Sequence, residues 1–123
     1  AKSARRSFRV GAYVNADSPK TVQWLASQPK VDGWLEPRGV KMYMDGSLGS
    51  RSAFMFEPFT KPLPTQPADW KGLAFPGATD GTYAAIIQES AKRKTQVIIH
   101  AIGDRANHEV LNLFAKAPNL ASL

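Results

Sequence analysis

The chain has 123 residues, of which 43% are hydrophobic and 21% charged, and its formal net charge is +6 at pH 7. This composition is typical of a globular domain, and the absence of cysteine excludes disulfides and thiolate metal sites. No apolar run approaches the ~18 residues of a membrane span, and the basic amino terminus lacks the apolar segment of a signal peptide. We therefore expect a cytoplasmic protein with no membrane partner.

The positive charge raises the possibility of a basic nucleic-acid-binding module. The basic residues are dispersed, however, and no DNA- or RNA-binding motif interleaves them with aromatic residues. They concentrate at two separate places: Lys2, Arg5, Arg6 and Arg9, and Lys92, Arg93 and Lys94. Solvated surface charge is the simpler interpretation, so we expect no nucleic-acid partner.

The first elements along the chain are a strand and a helix. Residues 8–14 alternate weakly in hydrophobicity, which predicts a strand. Ser18 is suited to cap a helix and Pro19 to occupy its first position, and the helix continues to about Ser27, before Pro29. A turn is expected at residues 32–33, followed by a short extended piece that Pro37 interrupts.

The next strand, residues 40–45, has two chemically different faces because successive side chains of a strand point in opposite directions. Its apolar face carries Val40, Met42 and Met44 and is suited to packing under helices. The other face carries Lys41, Tyr43 and Asp45, which are unlikely to occupy a dry core without a function.

A long connection follows at residues 46–78, and its five prolines after Phe56 rule out a continuous helix. Four aromatic residues either build a folded lid or wall for a site or only pack the loop against the domain: Phe54, Phe56, Phe59 and Trp70. The loop begins with a glycine- and serine-rich segment that ends at Arg51 and lacks the Gly-Lys-Ser/Thr ending of a phosphate-binding loop.

The last part predicts a helix, a strand and a helix. The helix at 81–94, capped by Thr79 or Asp80, has an apolar stripe formed by Tyr83, Ile86, Ile87 and Ala91. The strand at 96–102 is almost entirely apolar, as parallel strands covered by helices are. The final helix is capped by Asp104 and buries Ala106, Val110, Leu113 and Phe114. This alternation predicts an α/β fold with a parallel sheet.

Two residues could ligate a metal. His100 lies near the end of the apolar strand, where an isolated histidine is more often an ordinary core residue than a ligand. Lys41 as an ammonium cannot bind a metal, but its neutral amine can add carbon dioxide to form an anionic carbamate. The simpler alternative is a lysine paired with Asp45. His108 falls within a predicted helix and is interpreted as a surface residue.

Two stretches, VKMYMDGSLGSR and IIHAIGDRAN, resemble the amidohydrolase superfamily, specifically its amidohydrolase-3 (YtcJ-like) branch, over roughly residues 38–113. The resemblance implies a metal-dependent hydrolase on a (β/α)8 TIM barrel, with one or two divalent ions, expected to be zinc, in the full-length enzyme. It matches Lys41 to the carboxylated lysine of the fourth strand and His100 to the histidine of the fifth. The His-x-His of the first strand, the sixth-strand histidine and the eighth-strand aspartate have no counterpart in the sequence.

Length limits how much of such a barrel is present, because a complete one needs about 250 residues. The chain is long enough for about three parallel βα units, so residues 1–123 are expected to be a single segment from the middle of the barrel, an incomplete domain. In such a segment the face with Tyr43, Ile98 and Ile102, and by alternation Val10 and Ala12, would lose its normal cover.

The resemblance implies hydrolysis of non-peptide C–N bonds in amide-like small molecules by metal-activated water. No catalytic residue is assigned within the chain. We expect the isolated chain to be inactive, and the metal to belong to the full-length enzyme. Asp45, Arg51 and Asp104 are candidates for orienting ligands or contacting substrate, although a loop-shaping salt bridge for Arg51 and a helix cap for Asp104 are the simpler roles. The expected partners are the substrate and either a second copy or the rest of the barrel. The alternative is a non-catalytic α/β fragment that self-associates.

Overall fold

A computed structural model describes residues 8–29 and 34–117. The turn predicted at residues 32–33 lies outside these ranges. The elements of the described part are, in chain order, β1 (Val10–Asn15), α1 (Pro19–Ala26), β2 (Leu35–Tyr43), α2 (Pro76–Thr79), α3 (Thr82–Arg93), β3 (Gln96–His100) and α4 (Asp104–Ala115).

The strands form one parallel sheet in the order β1-β2-β3, so each strand lies beside its neighbour in sequence. Helices connect or follow the strands, as the alternating pattern predicted. The fold is therefore α/β, built from consecutive parallel βα units.

β2 is longer than predicted, and the expected interruption at Pro37 is wrong. Ala12 pairs with Pro37 and Tyr13 with Gly39, so Arg38 is an extra residue on β2. A bulge of this kind leaves one residue out of the ladder and lets the strand continue past an irregular position.

The register also corrects the predicted face of β1. Tyr13 is paired with Gly39, and its hydroxyl donates a hydrogen bond to the side chain of Gln96 on β3. Tyr13 therefore lies on the Lys41 face of the sheet, and Ala12, with Val10 two residues earlier, points to the opposite side. Weak alternation in β1 did not reveal this, because the face depends on pairing with β2.

The helices cover one face of the sheet and enclose the core. Val40, Met42 and Met44 of that face are almost completely buried, as their alternation predicted. They pack against the predicted apolar stripes of the helices, with Val22 and Leu25 from α1, Tyr83, Ile86 and Ile87 from α3, and Ala106 and Val110 from α4. Burying each large aliphatic side chain contributes roughly 1.5–3 kcal/mol, so this layer holds the strands and helices together.

The helix starts differ in detail from prediction. Ser18 occupies the N-cap position of α1, but its hydroxyl contacts the Asp17 carboxylate at 3.2 Å rather than a helix N–H. Asp80 accepts the Thr82 N–H at 2.8 Å at the start of α3, and hydrogen bonds from the side chain and backbone of Thr82 lower the pKa of Asp80. At α4 the N-cap is Gly103, and Asp104 is the first helical residue.

Tyr83 connects α3 to the end of β2. It is 8% exposed, and its hydroxyl donates a hydrogen bond of 2.7 Å to the Tyr43 carbonyl. Burial raises the pKa of Tyr83 above the ordinary value of 10.0. The neutral phenol is therefore favoured in the folded state, and its contribution to stability is present below the unfolded-state pKa and lost as pH rises through the folded-state pKa.

Replacing Tyr83 with Phe should lower the free energy of unfolding by about 0.5–1.5 kcal/mol at neutral pH, because the hydrogen bond to Tyr43 is lost. Above about pH 10 the difference between the two proteins should shrink, since the wild-type phenol then ionises more readily in the unfolded chain. Urea unfolding across this pH range measures both effects. Tyr43→Phe, at an exposed ring, is the control, and a Tyr83→Phe difference that does not change with pH would contradict the assignment.

Candidate metal-binding site

Lys41 and His100 lie on the same face of the sheet, on neighbouring strands. The register pairs Lys41 with Ile98 and Tyr43 with His100. Paired residues of parallel strands project to the same side, so all four point away from the helices. The sequence predicted this shared face for Lys41 and His100, and the pairing confirms it. Whether the two residues bind a metal stays a prediction.

Tyr43 lies next to both candidate ligands. Its ring centroid lies 5.7 Å from that of His100, and the Lys41 Nζ lies 5.0 Å from the Tyr43 centroid. The alternation of β2 predicted Tyr43 on this face without indicating a role for it. The available signal was its position two residues after Lys41, at the carboxyl end of the strand.

His100 is held by its Nε2 atom. Nε2 lies 2.9 Å from the Gly46 carbonyl oxygen, which can only accept, so this contact assigns the proton to Nε2. In the described part of the chain, Nδ1 has no hydrogen-bond partner. A neutral imidazole fixed in this tautomer presents the Nδ1 lone pair to a metal.

Asp45 has a completely buried carboxylate that accepts three backbone hydrogen bonds. Its Oδ2 accepts the N–H groups of Phe54 and Gly103, both at 2.8 Å, and its Oδ1 accepts that of Ile102 at 3.0 Å. Oδ1 also lies 3.7 Å from the His100 Nε2. Because its oxygens already accept these hydrogen bonds, Asp45 is poorly placed to be a metal ligand itself. It can instead support the position of the neighbouring His100.

The other two polar candidates serve the long loop (residues 44–75) that joins β2 to α2. Arg51 donates from Nε to the Lys61 carbonyl at 3.0 Å and from one terminal nitrogen to the Leu48 carbonyl at 3.1 Å. It thus shapes the loop through carbonyl oxygens, and the expected salt bridge is not formed within the described residues. Asp104 accepts the N–H groups of Phe56, at 3.0 Å, and of its own neighbour Arg105.

The aromatic residues of the long loop are packed into its own structure and against α4. The indole N–H of Trp70 donates to the Arg51 carbonyl, and Phe59 N–H donates to the Trp70 carbonyl at 2.9 Å. The Phe54 carbonyl accepts the Ala106 N–H of α4 at 3.1 Å. The loop is therefore a folded layer at the carboxyl end of the sheet. This agrees with both interpretations of its aromatic residues, as a lid or wall for a site and as packing of the loop against the domain.

The donors on the open face fit part of a metal site. Among residues 8–29 and 34–117, no group of three or more His, Asp or Glu side chains is arranged to hold a metal ion. A catalytic zinc usually has three protein ligands. Lys41 and His100 therefore fit as members of a larger ligand set.

Replacing Asp45 with Asn should lower the free energy of unfolding by about 1–3 kcal/mol, because an amide nitrogen cannot accept the N–H groups that the carboxylate now accepts. Hydrogen exchange at the amides of Phe54, Ile102 and Gly103 should become faster, while exchange in α3 changes less. The exposed Asp69→Asn variant is the control. Unchanged protection at these three amides would show that Asp45 does not hold the loop.

Comparison with known proteins places the sequence in a family. The profile described as "Amidohydrolase family" matches residues 1–122. The chain is 31% identical over 96 residues to "Putative amidohydrolase YtcJ" of Bacillus subtilis (strain 168), covering 78% of this chain and 17% of that protein. It is 36% identical over 81 residues to "Protein LONG AFTER FAR-RED 3" of Arabidopsis thaliana, covering 66% of this chain and 13% of that protein.

Two crystal structures of uncharacterized metal-dependent hydrolases share the fold. The protein from Pyrococcus horikoshii OT3 has a TM-score of 0.67 and 30% identity, over 87% of this chain and 21% of that one. The protein from Pyrococcus furiosus has a TM-score of 0.70 and 29% identity, over 88% and 22%. The chain thus spans about a fifth or less of the length of these relatives. On its sequence match and its parallel α/β fold, the chain belongs to the amidohydrolase family.

Proposed function

We propose that this chain is part of a metal-dependent amidohydrolase that hydrolyses non-peptide C–N bonds of amide-like small molecules. Membership of the family supports hydrolysis in general, and the metal-dependent hydrolases of similar structure support a divalent metal. The more specific parts of the proposal are zinc, as one or two ions, and residues 1–123 as a middle segment of the barrel. The observation that carries it is the placement of Lys41 and His100 on one face of adjacent strands.

His100 would bind the metal through Nδ1. The hydrogen bond from Nε2 to the Gly46 carbonyl orients the ring, and the nearby Asp45 carboxylate is fixed by three backbone N–H groups. Partners of this kind usually orient a ligating histidine and increase its basicity. Gly46 and Asp45 would therefore act as positioning residues.

Lys41 would act as a carbamate, which supplies two anionic oxygens. In the structure its Nζ lies over the Tyr43 ring, one strand away from His100, so a carbamate there would extend over the same face. Tyr43 would form the surface between the two ligands. When bound, the metal would activate water and polarise the substrate carbonyl.

No helix in the described part of the chain is long and apolar enough to cross a membrane. A cytoplasmic location and the absence of nucleic-acid partners stay predictions.

Zinc titration followed by NMR tests the proposed ligands, since the chain contains only two histidines. Zinc should perturb the ring resonances of His100 at lower concentration than those of His108, and Lys41→Ala should weaken the effect on His100. With ¹³C-bicarbonate, a carbamate signal should appear and be absent from Lys41→Arg. An equal response of both histidines would remove the support for this metal site.

The isolated chain should not hydrolyse N-acyl substrates, because Lys41 and His100 provide two ligands where a catalytic zinc usually needs three. Turnover assays with added zinc measure this, and His100→Ala provides the background rate. Sustained hydrolysis that a chelator abolishes would show that the chain contains a complete site.

We also propose that the isolated chain self-associates, or else requires the rest of the barrel. β1 and β3 each have one edge without a partner strand among the described residues, and Tyr43 and Ile102 are 42% and 41% exposed. Unpaired edges and exposed apolar side chains favour association. Sedimentation at micromolar concentration should show a dimer or larger species. A monomer that melts cooperatively would contradict this proposal. It would equally contradict the alternative that the chain is a non-catalytic α/β fragment that self-associates.

A further inference from the structure

A cavity lies on the opposite side of the sheet from Lys41 and His100. It has a volume of about 290 Å³ and is bounded by the long loop, α2 and α4. Met44, whose side chain belongs to the helix-covered face, forms part of its wall together with Ala74 and Ala78. The volume is close to the lower end of the roughly 300–1,000 Å³ range of small-molecule sites.

Arg105 places an unpaired cation at this cavity. Its guanidinium carbon lies 4.4 Å from the Phe54 ring centroid and 6.0 Å from that of Phe56, so the aromatic residues constrain the group. Its Nε is buried and has no hydrogen-bond partner. Within residues 8–29 and 34–117, its side chain forms no ion pair either. Stacking uses the face of a guanidinium and leaves the terminal nitrogens in its plane able to donate to a ligand.

Glu109 places an unpaired anion at the same cavity. It follows Arg105 by four residues on α4, a spacing that brings two side chains close on a helix surface. The two charges nevertheless form no ion pair, and Glu109 has no other hydrogen-bond partner in the described part of the chain. Arg before Glu is the less favourable order for such a pair, which is consistent with their separation.

Asp104, which precedes Arg105 on α4, does not neutralise the charge of Arg105. Asp104 accepts the N–H groups of Phe56 and Arg105, which fixes its carboxylate at the first turn of α4. The cavity is therefore lined by a cation and an anion that have no ion-pair partner among residues 8–29 and 34–117, together with apolar side chains. A half-buried charge without a partner is costly, so a ligand that pairs with both groups would gain from them.

We propose that this cavity binds a free α-amino acid with a small or medium apolar side chain. The ligand carboxylate would accept hydrogen bonds from Arg105, and its ammonium would pair with Glu109. Its side chain would contact Ala74 and Ala78, next to the buried Met44. A simple anion would be repelled by Glu109, and a simple cation by Arg105. The site is independent of the proposed hydrolase function, because it shares neither Lys41 nor His100.

The first test uses the complete 123-residue chain labelled with ¹³C at its three methionine methyl groups. L-valine and L-leucine are titrated, with acetate and methylammonium as probes that carry one charge each. The amino acids should shift the Met44 signal saturably and more than the Met42 signal, and each single-charge probe should bind at least tenfold more weakly. No saturable shift of Met44 by either amino acid at about 50 mM would overturn the proposal, as would acetate binding as tightly as L-leucine.

Variants then assign the contacts. Glu109→Gln and Arg105→Lys should each weaken L-leucine binding at least tenfold. The first removes the negative charge and the second the planar guanidinium donors, while each keeps a side chain of similar length. Glu57→Gln and Arg9→Lys, at exposed positions, are the matched controls and should bind like the wild type. Amide spectra establish that each variant is folded. Wild-type affinity in folded Glu109→Gln would overturn the proposed ammonium contact and, with it, the amino-acid assignment.

Discussion

The buried carboxylate of Asp45 is the interaction on which the arrangement of the site depends. It joins the end of β2 to the long loop through Phe54 and to the start of α4 through Ile102 and Gly103. Three backbone N–H groups would otherwise lack partners, at a cost of about 1–3 kcal/mol for each that stays buried and unpaired. The loop after β2 also holds Gly46, whose carbonyl contacts His100. By fixing this loop and the start of α4, the Asp45 carboxylate also limits the position of His100.

The sheet separates two kinds of chemistry by the alternation of its strands. On the helix-covered side, Val40, Met42 and Met44 supply the apolar layer that stabilises the domain. On the open side, the register pairs Tyr43 with His100 and Lys41 with Ile98, two residues earlier on each strand. The candidate ligands therefore depend on strand pairing, which is more rigid than a loop. The proposed amino-acid cavity uses the other side and a different set of charges.

The polar residues of the long loop show why residue type alone is a weak guide to a site. Arg51 directs its donors to carbonyl oxygens of its own loop, and Asp104 accepts N–H groups near the start of α4. Both are used to shape backbone that has little regular secondary structure. Arg105 differs, because in the described part of the chain its charge is stacked on aromatic rings and otherwise unmatched.

Local sequence determined the α/β class, the apolar stripes of the helices, the two faces of residues 40–44 and the resemblance to the amidohydrolase family. These features follow from periodicity and from contiguous motifs. Tertiary structure decided that β2 continues through Pro37, that Tyr13 rather than Ala12 faces the Lys41 side, and that Arg105 and Glu109 form no ion pair with each other. It also decided the partners of Asp45, which lie 9, 57 and 58 residues away along the chain. Strand register and long-range hydrogen bonds leave no local period in the sequence, because they arise only when distant segments meet.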